Sequence, residues 1–135
     1  MSAAVADQQL IDAALAARAH AYAPYSDYQV GCAVLAGDDL FTGANIENAS
    51  YGLAMCAERV AVAQAVLAGH RVIDTVVVAT SSSPPATPCG LCRQTLNEFL
   101  RPGGDMRVLV VNPDGEKREY AFTELFPAGF TGDQM

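Results

Sequence analysis

The chain has 135 residues, 51% of them hydrophobic, with a formal net charge of −7 and a pI near 4.5. That length suits one domain with a sizeable core, residues 1–135, and leaves no room for a second. The acidic balance and the eight scattered Lys and Arg residues exclude the basic surface that nucleic acids require, so we expect a small-molecule substrate of little charge.

Helical and strand patterns alternate along the chain. In order, they predict a helix over 8–22 capped by Asp7, strands over 28–35 and 39–44 joined as a hairpin, a helix over 56–68 ended by Gly69, a strand over 72–79, a loop over 81–88, a helix over 89–100, and strands over 106–111 and 117–122. This order predicts an α/β fold, a three-layer α/β/α sandwich around a mixed five-stranded sheet.

The chain shows no pattern typical of an exported or membrane-embedded protein. Its start, MSAAVADQQL, has no basic region followed by an apolar one, and no apolar run reaches the ~18 residues of a membrane span. Without a signal peptide, the four cysteines favour metal binding over disulfide formation. We therefore expect a soluble, cytoplasmic protein that has no membrane partner.

The predicted helix 56–68 is apolar on nearly every face. Apart from the thiol, its polar side chains are those of Glu58, Arg59 and Gln64. In a domain of this size a sheet covers only one side of a helix. The alanine-rich other side therefore predicts contact with another subunit.

Three cysteines and one glutamate form the most specific pattern in the chain. Cys56 begins the sequence CAER, and Cys89 and Cys92 follow in PCGLCRQ. A CxxC at a helix start puts both sulfurs on one face of the first turn, where three thiolates can occupy three corners of a zinc tetrahedron and leave the fourth open for water. Glu58 then lies beside the metal without being a ligand, at the position where its carboxylate could carry protons to and from metal-bound water.

Other uses of these residues stay open at this point. Cys32 could complete a closed four-thiolate zinc site, although its place in the strand YQVGCAV favours a buried core thiol. Cys89 and Cys92 could form a redox pair, although thioredoxin-like surroundings are missing. Glu58 could be an ordinary solvated carboxylate, but a buried carboxylate in so apolar a helix is costly unless it has a function.

Four motifs, in order, carry a resemblance to a known family. CAER and PCGLCRQ are preceded by PYSDYQVG (residues 24–31) and NIENASYG (residues 45–52). The chain resembles the short, homotetrameric, three-cysteine cytidine deaminases of the cytidine and deoxycytidylate deaminase superfamily. The resemblance implies a cytidine deaminase-like fold, one Zn²⁺ per subunit, and hydrolytic deamination of cytidine and deoxycytidine to uridine and deoxyuridine, with release of ammonia, in pyrimidine salvage. It also implies a homotetramer with active sites shared between subunits.

The resemblance also implies roles for individual residues. The metal ligands are Cys56, Cys89 and Cys92, and the catalytic residue is Glu58. Arg59 hydrogen-bonds the sulfurs and offsets the negative charge of three thiolates. The substrate-binding positions are Tyr28, Asn45, Glu47, Ala49, Tyr51 and Phe130. Of these, Asn45 and Glu47 match residues that bind the sugar hydroxyls, and Tyr51 and Phe130 match residues that reach the site of a neighbouring subunit.

Alternatives remain for the substrate positions and for the function. Asn45 and Glu47 could form a polar turn, and Tyr51 and Phe130 could be local core aromatics. Tyr28 stands where the family usually has Phe, so its hydroxyl either finds a partner or changes which sugar or base fits. Rival functions are deamination of a cytosine-containing antibiotic of the blasticidin type, a zinc-stabilised binding module, and a nucleic-acid editing domain, which the acidic composition disfavours.

Overall fold

Five strands form one mixed sheet in the computed structural model, which describes residues 5–135. The strands are β1 Gly31–Ala36, β2 Asp39–Ala44, β3 Thr75–Ala79, β4 Arg107–Val111 and β5 Lys117–Ala121. Their spatial order is β2-β1-β3-β4-β5; β3 and β4 are parallel, and the other neighbours are antiparallel. The predicted α/β fold with a mixed five-stranded sheet is confirmed.

Helices cover both faces of this sheet. They are α1 Asp7–Ala17, α2 Ala57–Leu67, α3 Gly90–Asn97 and the short α4 Phe122–Leu125. Because side chains alternate between the faces of a strand, Val77 of β3 packs with α1, whereas its neighbours Val76 and Val78 pack with α2 and α3. The result is the predicted three-layer sandwich, with Cys56 and Cys89 at the starts of two helices on the same face.

Several predicted boundaries are wrong by one or more residues. Asp7 is the first residue of α1 and not its cap; the N–H of Ala6 instead donates to the Gln9 side chain at 2.8 Å. The α-helix ends at Ala17 and is followed by a 3₁₀ turn, Arg18–His20, so it is shorter than the pattern over 8–22 indicates. The strands β3 and β4 and the helix α3 also begin later than predicted, at Thr75, Arg107 and Gly90.

Strand β1 begins at Gly31 and not at residue 28, because the preceding backbone bonds to a side chain. Asn45 accepts the N–H of Val30 at 2.8 Å and donates from Nδ2 to the carbonyl of Tyr28 at 2.9 Å. Beyond β1 the ladder retains one backbone bond, from the Asn45 N–H to the Val30 carbonyl at 3.2 Å, and the Asn45 side chain takes the other backbone groups. The segment before β1 therefore forms a wall beside the sheet.

Two glycines let helices approach the sheet closely, one on each face. A Cβ at Gly43 of β2 would lie 2.5 Å from both the carbonyl oxygen of Ala57 and the nitrogen of Ala61, in α2. A Cβ at Gly31 of β1 would lie 2.0 Å from the carbonyl oxygen of Ala14, in α1. The seating of α2, which carries the Cys56 and Glu58 end of the site, therefore depends on the absence of a side chain on β2.

None of the helices that the structure describes has the length and apolar character needed to cross a membrane.

Candidate active site

Three thiols meet between the starts of α2 and α3. Cys56 is the N-cap of α2, Cys89 is the N-cap of α3, and Cys92 lies in the first turn of α3. The Sγ atoms of Cys56 and Cys89 are 3.7 Å apart, those of Cys89 and Cys92 are 3.5 Å apart, and all three lie within 4.8 Å of one another. The structure thus brings together the three cysteines expected to bind metal.

The geometry of these thiols suits zinc. Ligand sulfurs at ~2.3 Å from a tetrahedral zinc ion are ~3.8 Å apart, close to the separations observed. Two of the sulfurs lie at helix N-termini, where the backbone dipoles favour thiolate. Cys32 is not part of the cluster: it is fully buried in the core between the sheet and α2. The cluster is therefore a three-thiolate set, and not the closed four-thiolate site.

The thiols share negative charge unequally. The pKa of Cys56 is lowered to about 6, first by its hydrogen bond with Cys92 and then by Cys89 and the nearby Arg59. The pKa of Cys92 is raised, first by the same hydrogen bond, which its proton makes to Cys56, and then by burial. Cys56 thus ionises more readily than Cys92, and a bound cation would favour the thiolate form of its ligands.

Arg59 supplies a positive charge beside the cluster. Its Nη2 donates to the backbone carbonyl of Ala54 at 2.6 Å, which holds the guanidinium near the start of α2. Its Nε is buried and has no hydrogen-bond partner among the described residues. A buried donor of this kind favours nearby anionic sulfur, so Arg59 also fits a thiolate–metal centre. Direct donation from Arg59 to a ligand sulfur stays a prediction.

Glu58 is a buried carboxyl group in the first turn of α2. Only 4% of the residue is exposed, and it lines the same pocket as Cys56 and Cys89. Burial raises its pKa, and the neighbouring Cys56 adds to the effect. Glu58 is therefore not an ordinary solvated carboxylate, and it lies where a proton carrier next to the cysteines would be needed.

Cys56, Cys89 and Glu58 line a pocket with a volume of about 290 Å³, and Cys92 is buried behind it. Its walls come from the segment before β1, the segment after β2, the start of α2 and the loop after β3. These walls contain three of the residues predicted to bind substrate, Tyr28, Asn45 and Glu47. Thr80 and Thr87 also line the pocket. The sequence does not single out these two threonines, because the stretch between β3 and Cys89 has only the composition of a connecting loop.

Two polar side chains of the pocket also hold its wall in place. Asn45 is bonded to the backbone of Tyr28 and Val30 as described above. Glu47 accepts two backbone N–H groups of the same segment, at 2.9 and 3.1 Å, and the hydroxyl of Ser26. The Ser26 hydroxyl is the main reason that the pKa of Glu47 is lowered. Glu47 is thus held as a carboxylate at the pocket.

The family model for the cytidine and deoxycytidylate deaminase zinc-binding region matches residues 4–108. The chain belongs to the cytidine and deoxycytidylate deaminase family. A cytidine deaminase of Halalkalibacterium halodurans is 45% identical over 129 residues, which are 95% of this chain and 96% of that protein. The crystal structure of cytidine deaminase from Burkholderia pseudomallei has a TM-score of 0.87 at 40% identity, covering 93% of this chain and 100% of that one. The crystal structure of cytidine deaminase from Mycobacterium tuberculosis has a TM-score of 0.78 at 34% identity, covering 94% of this chain and 99% of that one.

Membership of this deaminase family confirms the resemblance and identifies the chain as an enzyme with a zinc-binding region. The thiol cluster lies inside the matched residues, and its geometry is compatible with zinc. Phe130 lies beyond them.

The remaining predicted substrate positions of this deaminase lie outside the main pocket. Ala49 is exposed. Tyr51 is 87% exposed and borders a neighbouring hollow that also contains Glu47. Phe130 has an exposed side chain, and its carbonyl accepts hydrogen bonds from Gln94 and Asn97 of α3 at 3.0 and 2.9 Å. Neither aromatic is a core residue of its own subunit, and their roles in substrate binding stay predictions.

Proposed function

We propose that this chain catalyses the zinc-dependent hydrolytic deamination of cytidine and deoxycytidine to uridine and deoxyuridine, with release of ammonia, as a step of pyrimidine salvage. The observation that carries the proposal is the shared pocket, which is lined by two cysteines of the thiol cluster, Cys56 and Cys89, and by the buried Glu58. One zinc ion per chain would be held by Cys56, Cys89 and Cys92. The family relationship supports the reaction type, and we take residues 1–135 as one catalytic domain.

Glu58 carries the protons in this reaction. A zinc ion, when bound by the three cysteines, supplies water that loses a proton near neutral pH. Glu58 accepts a proton from the attacking water and delivers it to the ring nitrogen next to carbon 4. The hydroxyl group formed on carbon 4 then gives its remaining proton to Glu58, which passes it to the amino nitrogen. The bond from carbon 4 to that nitrogen breaks, the oxygen becomes the carbonyl of the product, and ammonia leaves. The buried position of Glu58 keeps this transfer away from bulk water.

The charges of the pocket favour a nucleoside over a nucleotide. Among residues 5–135, those that line the pocket include two carboxyl groups, from Glu47 and Glu58, and no Lys, Arg or His. A phosphate near Glu47 would meet the negative charge of this carboxylate without a cationic side chain to offset it. The oxygens of Glu47 and Asn45 retain acceptor capacity beyond their bonds to the protein, which supports a role in binding sugar hydroxyl groups.

The direct test is ammonia and uridine production from free cytidine by the zinc-loaded protein. Glu58→Gln should keep the fold and the zinc but lose about two to four orders of magnitude in kcat, because an amide cannot carry protons. Gln64→Ala, at an exposed position of the same helix, is the matched control and should react at the parent rate. Inactivity of the zinc-loaded parent, or a Glu58→Gln rate above about a tenth of the parent rate, would refute the proposal.

A substrate panel tests the recognition of the sugar. The panel contains cytidine, deoxycytidine, the free base cytosine, deoxycytidylate and a blasticidin-type antibiotic. Glu47→Gln should raise KM for the two nucleosides while zinc content stays constant, and should reduce the preference for cytidine over cytosine. A parent that prefers the nucleotide or the antibiotic would contradict the pocket's proposed selectivity.

We also infer that the chain assembles as a homotetramer, with sites completed across subunits, in the cytoplasm, where its thiols stay reduced. The exposed side chains of Leu67 on α2, Tyr51 and Phe130 support the assembly, since they form apolar surface that one chain leaves in water. Light scattering should give close to four times the 14.2 kDa chain mass. Co-assembly of Glu58→Gln with Phe130→Ala should restore part of the activity; a fully active monomer would contradict the assembly.

A further inference from the structure

The Tyr28 side chain connects two walls of the pocket. Its backbone is held on one wall, where the carbonyl accepts from Asn45 at 2.9 Å and the N–H donates to Ser26 Oγ at 3.0 Å. Its hydroxyl is hydrogen-bonded to Ser82 Oγ at 2.5 Å, in the loop after β3 whose neighbouring residues Thr80 and Thr87 line the other wall. The two partners are 54 positions apart in the chain. The ring is therefore held at both ends.

Ser82 is itself held in place through its backbone. Its N–H donates to Thr80 Oγ1 at 3.3 Å, and its carbonyl accepts from Asn112 Nδ2 at 3.0 Å. Asn112 directly follows β4 and is only 1% exposed. Its Oδ1 accepts the backbone N–H groups of Asp114 and Glu116 at 3.1 and 3.0 Å. The position of the Ser82 hydroxyl is thus set by the end of a central strand.

We propose that Ser82 is a positioning residue for the substrate, which acts by fixing the Tyr28 ring against the pocket. The proposal rests on the proposed function, in which this pocket binds the nucleoside. Tyr28 is 37% exposed, so without Ser82 its side chain would be free to change rotamer and its hydroxyl would bond to water. A ring that is already ordered loses no further conformational entropy when the substrate binds, and this preorganisation lowers KM.

The alternative use of the same hydroxyl is a direct contact with the substrate. In that case Tyr28 would matter and Ser82 would not, because the substrate and not the serine would be the partner. The two possibilities predict different results for variants at the two ends of the bond. A double-mutant cycle therefore separates them.

The experiment measures kcat and KM for cytidine with the zinc-loaded parent, Ser82→Ala, Tyr28→Phe and the double variant. Each single variant should raise KM roughly two- to tenfold, with kcat within about twofold of the parent, since the bond does not involve Glu58 or the cysteines. The double variant should be no worse than either single one, because both changes remove the same bond. Ser82→Thr, which keeps the hydroxyl, should recover the parent KM.

Ser81→Ala is the matched control, since Ser81 is exposed and its side chain has no hydrogen-bond partner among the described residues. It should keep the parent KM. Parent kinetics in Ser82→Ala, or fully additive effects in the double variant, would overturn the positioning role. If Ser82→Ala does not fold, Tyr28→Phe removes the same hydrogen bond, and a parent KM in that variant would overturn the positioning role. A zinc-loaded parent that does not deaminate cytidine would instead overturn the proposed function, and this inference with it.

Discussion

Gly43→Ala places a methyl group between β2 and the helix that carries Glu58. The new Cβ would lie 2.5 Å from backbone atoms of Ala57 and Ala61 and 2.9 Å from Cβ of Val60. Ordinary contact begins at 3.4 Å, so α2 must move away by about 1 Å. Overpacking of this kind destabilises the folded state by about 1–3 kcal/mol. This exceeds the stabilisation of ~0.4–1 kcal/mol that replacing glycine by alanine provides by reducing the entropy of the unfolded chain. We expect a net loss of about 1–2 kcal/mol in the free energy of unfolding.

The same displacement should damage the site more than the fold. Cys56 starts α2, whereas Cys89 and Cys92 belong to α3, so movement of α2 changes the 3.7 Å separation between Cys56 and Cys89. A misplacement of about 1 Å can reduce a reaction rate about a hundredfold. Gly43→Ala should therefore hold zinc less tightly and lose most of its activity at temperatures where it is fully folded.

Gly31→Ala is the matched control, because it makes the same change on the opposite face of the sheet. Its Cβ would lie 2.0 Å from the carbonyl oxygen of Ala14 in α1, a helix that carries no metal ligand. It should destabilise the protein at least as much and still retain zinc. Thermal unfolding and elemental zinc analysis measure the two effects. Equal zinc loss in both variants, or parent-like zinc and activity in Gly43→Ala, would refute the proposed link between the position of α2 and the thiol cluster.

Two further predictions concern the metal and the pH dependence of stability. Cys32→Ala should keep one zinc per chain by elemental analysis and Cys89→Ser should lose it, because Cys32 lies outside the thiol cluster; zinc loss from Cys32→Ala would restore the four-thiolate alternative. Hydrogen bonds from Arg107 lower the pKa values of Asp7 and Glu119, so these carboxyl groups bind fewer protons in the folded state than in the unfolded state. The resulting stabilisation is complete above the ordinary carboxyl pKa near ~4, and it is lost as the pH falls through the lowered values. Arg107→Leu should cost at most about 1 kcal/mol at pH 7 and flatten the acid side of the stability curve measured by urea unfolding; an unchanged acid slope would count against this ion-pair cluster.

Local patterns in the sequence predict the main elements and point to the three cysteines that the structure brings together. The valine-rich runs predict β3 and β4, and Gly69, with a φ of 100°, ends α2 as predicted. The spacing of Cys56, Cys89 and Cys92 indicates a shared ion because residues at helix starts present their sulfurs in a restricted geometry. The strands, the helix end and the Cys89–Cys92 pair depend on neighbours within one or two turns of the chain, which the sequence records directly. The approach of Cys56 to that pair spans 33 positions and depends on the fold.

Contacts between distant segments were decided only by the tertiary structure. The bonds of Asn45 to the segment before β1 make that strand begin at Gly31, and no local pattern indicates them. The pairing of Tyr28 with Ser82 exists because antiparallel β1 and β3 are neighbours in the sheet, which brings the segment before β1 next to the loop after β3. Strand order is determined by how the whole core packs. The side chains that meet at the strand ends therefore cannot be predicted from their neighbours in the sequence.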